Sequence, residues 1–160
     1  MKKLAFYMGI VILFSIFAQA QGKNNYVSTC YGFSMNVPSV KDNINISHQI
    51  AFFFLPMSDG FAPNVNVQIQ AFEGTIDDYD RISTNQFKSF SFILISRMIK
   101  KDFIIYEYKG ITQEKKMHWY QKAVKKENHI FLITATALET QWMITKTSLI
   151  DSVDSFKFVQ

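Results

Sequence analysis

Apolar and polar residues alternate along several stretches of the chain, and this period of two marks half-buried strands. In Tyr31-Gly-Phe-Ser-Met-Asn-Val-Pro38 the apolar positions are Phe33, Met35 and Val37. Pro38 lacks the N–H that a ladder needs and closes the strand. Asn64 to Glu73 is the cleanest case: Val65, Val67, Ile69 and Ala71 face one way, and Asn66, Gln68 and Gln70 the other. Ile50 to Leu55 is continuously apolar instead, as expected of a central strand buried on both faces. Asp59-Gly60, between Pro56 and Pro63, reads as a turn. Three further strands are expected at Phe103 to Tyr108, Met117 to Val124 and His129 to Ala137, the last two joined by the polar turn Lys125-Lys-Glu-Asn128. Residues 21–30 are polar and read as a loose lead-in, and residues 42–47 as a loop or short element.

The period changes to that of a helix twice. Gly74 breaks the third strand, and Thr75 stands where an N-cap belongs. Asp77, Asp78 and Asp80 then occupy the positive end of the helix macrodipole. Tyr79, Ile82, Gln86, Phe87 and Phe90 form the stripe of a helix expected to reach about Phe92, with the apolar run continuing to Ile95. Leu138 to Val153 returns to helix, with Trp142, Leu149, Ile150 and Val153 on one face, and Phe156-Lys-Phe158 closes the chain. Three strands, a helix, three strands and a helix, with hairpin links inside each half, predict an α+β fold. Its expected architecture is a mostly antiparallel six-stranded sheet flanked by helices, an α/β/α sandwich.

The first twenty residues follow a different logic. Lys2 and Lys3 precede Leu4 to Phe17, apolar apart from Ser15, and Ala18-Gln19-Ala20 supplies the small-x-small pattern of a cleavage site. The apolar run is shorter than the roughly 20 residues that cross a bilayer. Residues 1–20 are therefore expected to be a cleavable signal peptide and residues 21–160 a single exported domain, in the periplasm or outside the cell. Gln21 occupies the position where a lipoprotein would carry its cysteine, so no stable membrane anchor is expected after cleavage. The lone Cys30 has no internal disulfide partner and is expected to be buried as a small hydrophobe, the alternative being a disulfide between chains.

Charge and composition narrow the function classes. Net charge is +4 for the whole chain and falls to about +2 without Lys2 and Lys3, too little for a dedicated nucleic-acid surface. His48, His118, His129 and Cys30 lie far apart with no metal-ligand spacing, so no metal or cofactor is expected. Asp77, Asp78 and Asp80 are explained by the helix start. No G-x-S-x-G elbow is present, and Glu73, Glu107 and Glu139 have no sequence relation that pairs two of them. Aromatic residues, at 16%, are the surplus. Phe53, Phe61, His118, Trp119, Tyr120 and Trp142 are the candidates for a binding surface or pocket, the alternative being that helices on both faces bury them.

Three segments carry a resemblance to a known family. Tyr31 to Pro38 is similar to its opening strand, "GFS-x-x-x-P", and Asn64-Val-Asn-Val-Gln-Ile69 to its third strand, which leads to a helix beginning near Thr75 to Tyr79. Ile130 to Ala137, a helix, and Val153-Asp-Ser-Phe-Lys-Phe158 are similar to its closing strand, helix and "SF-x-F" tail. The chain thus resembles the PsbP-like group, including the DcrB-like bacterial envelope proteins, from Tyr31 to Phe158. The resemblance implies an antiparallel sheet between helices. It lends no catalytic residue, since members include a photosystem subunit, a GTPase-binding import factor, envelope lipoproteins and secretion chaperones. The expected function is a non-catalytic, exported binding domain for an envelope or secreted protein partner, monomeric or weakly dimeric. A carrier of a small apolar ligand in an aromatic pocket stands second, and a hydrolase with an unrecognised site third.

Overall fold

A computed structural model describes residues 25–38 and 49–159; the expected leader, the 42–47 loop and His48 lie outside the described residues. In chain order the elements are β1 (Asn25–Ser28), β2 (Phe33–Asn36), β3 (Gln49–Phe54), β4 (Asn64–Ala71), α1 (Ile76–Ser89) and β5 (Ile93–Ile99). They continue as β6 (Phe103–Thr112), β7 (Lys115–Lys126), β8 (His129–Leu138), α2 (Glu139–Asp154) and β9 (Lys157–Phe158). Six strands form one antiparallel sheet in the order β3-β4-β8-β7-β6-β5, and β1, β2 and β9 form a second, small one.

The fold class is the expected one, but the membership of the large sheet is not. The Tyr31–Pro38 strand leaves it for the small sheet, where Phe33 pairs with Phe158. Its place is taken by β5, in the stretch expected to prolong α1. The supposed lead-in contains β1, which pairs Asn25 to Ser28 with β2. The Phe52-Phe53-Phe54 strand ends the sheet instead of standing at its centre. It is apolar on both faces all the same, because Phe53 packs edge-on to Tyr26 of the small sheet at 5.2 Å while Phe52 is buried on the other side.

The local reasons for α1 are visible at both ends. Thr75 Oγ1 accepts from the Asp78 backbone N–H at 3.1 Å, and the Asp78 carboxylate accepts from the Thr75 N–H at 3.1 Å, a reciprocal capping box. Hydrogen bonds from Thr75 and from Arg81 hold the Asp78 carboxyl down at about 2. Ile76, Tyr79, Ser83 and Phe87 face inward at helical spacing. The helix stops in a Schellman arrangement: Phe92 N–H donates to Phe87 O at 2.8 Å, and Ser91 N–H donates to Lys88 O at 3.0 Å. Ser91 takes the left-handed position at φ 57°, where glycine would be usual.

Two apolar layers result, one on each face of the large sheet. On one face α2 and the small sheet enclose Phe33, Met35, Phe53, Val65, Val67, Ile133, Trp142, Leu149 and Val153. On the other, α1 encloses Ile76, Tyr79, Phe87, Ile104, Tyr106, Tyr108, Met117 and Trp119. Cys30 is exposed, contrary to expectation, because the β1–β2 turn that carries it lies at the rim of the small sheet.

Candidate functional site

The six candidate aromatic and histidine positions do not converge on one place. Neighbouring residues of a strand face opposite ways, so β7 sends His118 and Tyr120 to the α2 side and Trp119 to the α1 side. Phe53 lies in the α2-side layer, and Phe61 packs at the margin of the α1-side layer. Tyr120 donates its hydroxyl to Asp154 at 3.1 Å. Trp119 stacks on Tyr108 at 5.0 Å and packs tilted against Phe92 at 4.9 Å, so these rings fill their own layer. Both His118 and Trp119 are buried, as a sheet covered on both faces allows.

His118 and Trp142 are brought together. Their rings stack at 4.0 Å with an interplanar angle of 13°. His118 Nε2 lies 2.9 Å from Glu107 Oε1, and Nδ1 lies 3.0 Å from Glu139 Oε2. Lys109 Nζ donates to the second oxygen of Glu139 at 3.2 Å. An ionised carboxylate only accepts hydrogen bonds, so satisfying both glutamates at once requires a proton on each ring nitrogen. Burial by itself would raise the Glu139 carboxyl, but the hydrogen bonds and charges of His118 and Lys109 outweigh it and hold that group below its ordinary value.

The two glutamates that looked unrelated in sequence therefore meet on one histidine. The signal for half of this was present: a two-residue turn at Gln113-Glu114, both at positive φ, sets Lys109 opposite His118 and Glu107 opposite Tyr120. Glu139 could not be foreseen, since α2 must first fold back over the sheet. Chemically, the cluster ties β6, β7 and α2 together through Glu107, Lys109, His118 and Glu139. Both ring nitrogens are engaged, so a substrate or metal ion would have to displace a carboxylate to reach either. Among the described residues no group of three His, Cys, Asp or Glu is placed to hold a metal ion, and no helix is long and apolar enough to cross a membrane.

The second feature, missed in sequence, is the outer edge of β5. All seven residues of Ile93-Leu-Ile-Ser-Arg-Met-Ile99 are exposed. Five of them are large and apolar, and Phe90 before the strand and Ile111 on β6 are exposed as well. No strand among the described residues pairs with this edge. Beneath it the strand is firmly built. Arg97 pairs with Asp80 of α1 at 3.3 Å, and Asp80 also accepts from the Tyr106 hydroxyl at 3.1 Å. Burial pushes that tyrosine hydroxyl up. The register shifts between Leu94 and Ser96, which leaves Ile95 as a bulge residue without a partner on β6.

No family model matches this chain, and no curated protein matches it. Solved structures do. Cyanobacterial PsbP (CyanoP) from Synechocystis sp. PCC 6803 superposes with a TM-score of 0.62 at 14% identity, over 88% of this chain and 96% of that one. LpqN, involved in cell envelope biogenesis of Mycobacterium tuberculosis, gives 0.59 at 13% identity, over 80% of this chain and 83% of that one. PA94 from Pseudomonas aeruginosa, a protein of unknown function, gives 0.58 at 12% identity, over 79% and 91%. Likeness at such identities is a likeness of fold, and the fold of this chain is PsbP-like.

Proposed function

We propose that this chain is an exported, non-catalytic binding module that takes an extended segment of an envelope or secreted protein as an added strand on β5. The single observation that carries it is the outer edge of β5, with its backbone unpaired and all seven side chains exposed. Both kinds of group point to the same occupant. A small apolar ligand or a membrane surface would cover Ile93, Leu94, Ile95, Met98 and Ile99 but leave the backbone N–H and C=O groups without partners. A strand satisfies both, through ladder hydrogen bonds and alternate side-chain contacts. Support for an envelope setting comes from the leader-like first twenty residues and from the likeness of fold to LpqN.

The test is site-specific photo-crosslinking in cells, with the crosslinker at Ile95 or at Ile144, an exposed apolar position on α2. A defined adduct from Ile95 alone is the expected result. Adducts from Ile144 alone would move docking to α2 and overturn the reading. Fractionation of the same cells tests export, and an uncleaved chain retained in the cytoplasm would overturn that part. A place for the carrier reading among the described residues is an open cleft of about 630 Å³ on the small sheet, lined in part by Val27, Met35, Lys157 and Val159. Retained ligand mass on residues 21–160 in native mass spectrometry would favour it.

A further inference from the structure

The charges around the β5 edge narrow what kind of segment it takes. We infer that the occupant is an apolar partner strand bearing carboxylates beside Lys100 and Lys101, rather than a second copy of this chain; this rests on strand addition at β5. Lys100 and Lys101 follow the strand directly and are exposed, and neither takes part in an ion pair among the described residues. Arg97 keeps its side chain 44% exposed although it pairs with Asp80. Asp102 is the one carboxylate in the β5–β6 turn, and it follows two lysines in the chain. The edge therefore ends in an excess of unpaired positive charge, which attracts a strand with acidic residues at that end.

A second copy fits this edge poorly. Opposite residues in an antiparallel pair share a face, so the regular stretch Ser96 to Ile99 can pair with itself only about Arg97 or about Met98. The first sets Arg97 against Arg97, with Lys100 and Lys101 against Leu94 and Ile93. The second sets Lys100 and Lys101 against Ser96 and Ile95. Either way the lysines lie on the neutral half of the other copy, and no carboxylate meets them. Single-sign charge on an edge is a known guard against pairing with like strands, and here it also selects by sign.

The experiment uses residues 21–160 labelled with ¹⁵N and two blocked peptides: two Glu followed by alternating Val and Thr, and the same peptide with two Lys in place of Glu. Antiparallel addition puts the N-terminal pair beside Lys100 and Lys101. The glutamate peptide is expected to shift the amides of residues 93–99 and to bind about tenfold tighter than the lysine peptide at low salt, as two exposed ion pairs would give. The preference should shrink at high salt and reverse in the K100E/K101E variant. Equal binding of both peptides on β5 would overturn the carboxylate inference and leave strand addition standing. No shift of the 93–99 amides with either peptide would overturn strand addition itself. A dimer with those amides already protected before peptide is added would make the second copy the occupant.

Discussion

His118 shows how much one side chain can depend on distant ones. Its two nitrogens bind Glu107 and Glu139, and its face lies on Trp142. His118→Ala removes the imidazole contact from both carboxylates, leaves Glu139 with Lys109 alone, and opens a gap against the indole. Because both glutamates keep some contact with water, the expected loss is about 1–3 kcal/mol in urea unfolding. Glu139 adds a pH dependence. Its folded-state value is depressed, so its stabilisation is present above the ordinary carboxylate range and is lost as pH falls through the folded value. Unfolding midpoints of the wild type should therefore drop in acid, and Glu139→Gln should flatten that part of the curve. An equal acid loss in the variant would assign the effect elsewhere. His118 was legible as a candidate because it sits in an aromatic strand, but its partners lie 11 and 21 residues away.

Among the elements, α1 was the most legible at its start and the least at its end. Thr75 and Asp78 are three residues apart and need only each other, so the cap could be read directly. Thr75→Ala is expected to cost about 1 kcal/mol, measured by chemical unfolding. The end could not be read, because Ser91 adopts a left-handed conformation with no glycine or proline to announce it. The apolar run after it fits a strand and a helix equally well. What makes it a strand is pairing with β6, and Gly110 helps to hold it there. A Cβ on Gly110 would stand 2.3 Å from Phe92 Cδ1, so the ring lies directly over the glycine while packing against Trp119. Gly110→Ala should displace Phe92 at a cost of about 1–3 kcal/mol and change Trp119 fluorescence. An unchanged emission spectrum would count against this packing.

At the scale of the molecule, a six-stranded sheet has two ends, and they are finished differently. At the β3 end Ala51, Phe52 and Phe53 are buried, and Phe53 packs edge-on to Tyr26 of the small sheet. The β5 end is open, and its apolar side chains face water, with Ile93 59% exposed. Residues that support only an interface should be dispensable for folding. Ile93→Lys with Met98→Lys is expected to leave the unfolding midpoint nearly unchanged, within about 0.5 kcal/mol, while abolishing the crosslink from position 95. A large loss of stability would show instead that these side chains belong to the packed interior.

The amino-acid sequence by itself determined the elements whose causes are local. These are the alternating strand at Val65 to Ala71, the capped start of α1, the hairpin at Lys125 to Asn128 and the helix α2, with Trp142, Leu149 and Val153 on its inner side; together they identify the α+β class. Such features need only neighbours within a few residues, and their periods survive any later packing. Tertiary structure alone decided which strands share a sheet, which strand stands at its edge, and which charges meet. Cross-strand register and helix docking join residues tens of positions apart, and nothing in the local pattern distinguishes a β5 that is covered from one left open. The candidate interface, like the Glu107–His118–Glu139 cluster, is a product of that second kind of contact.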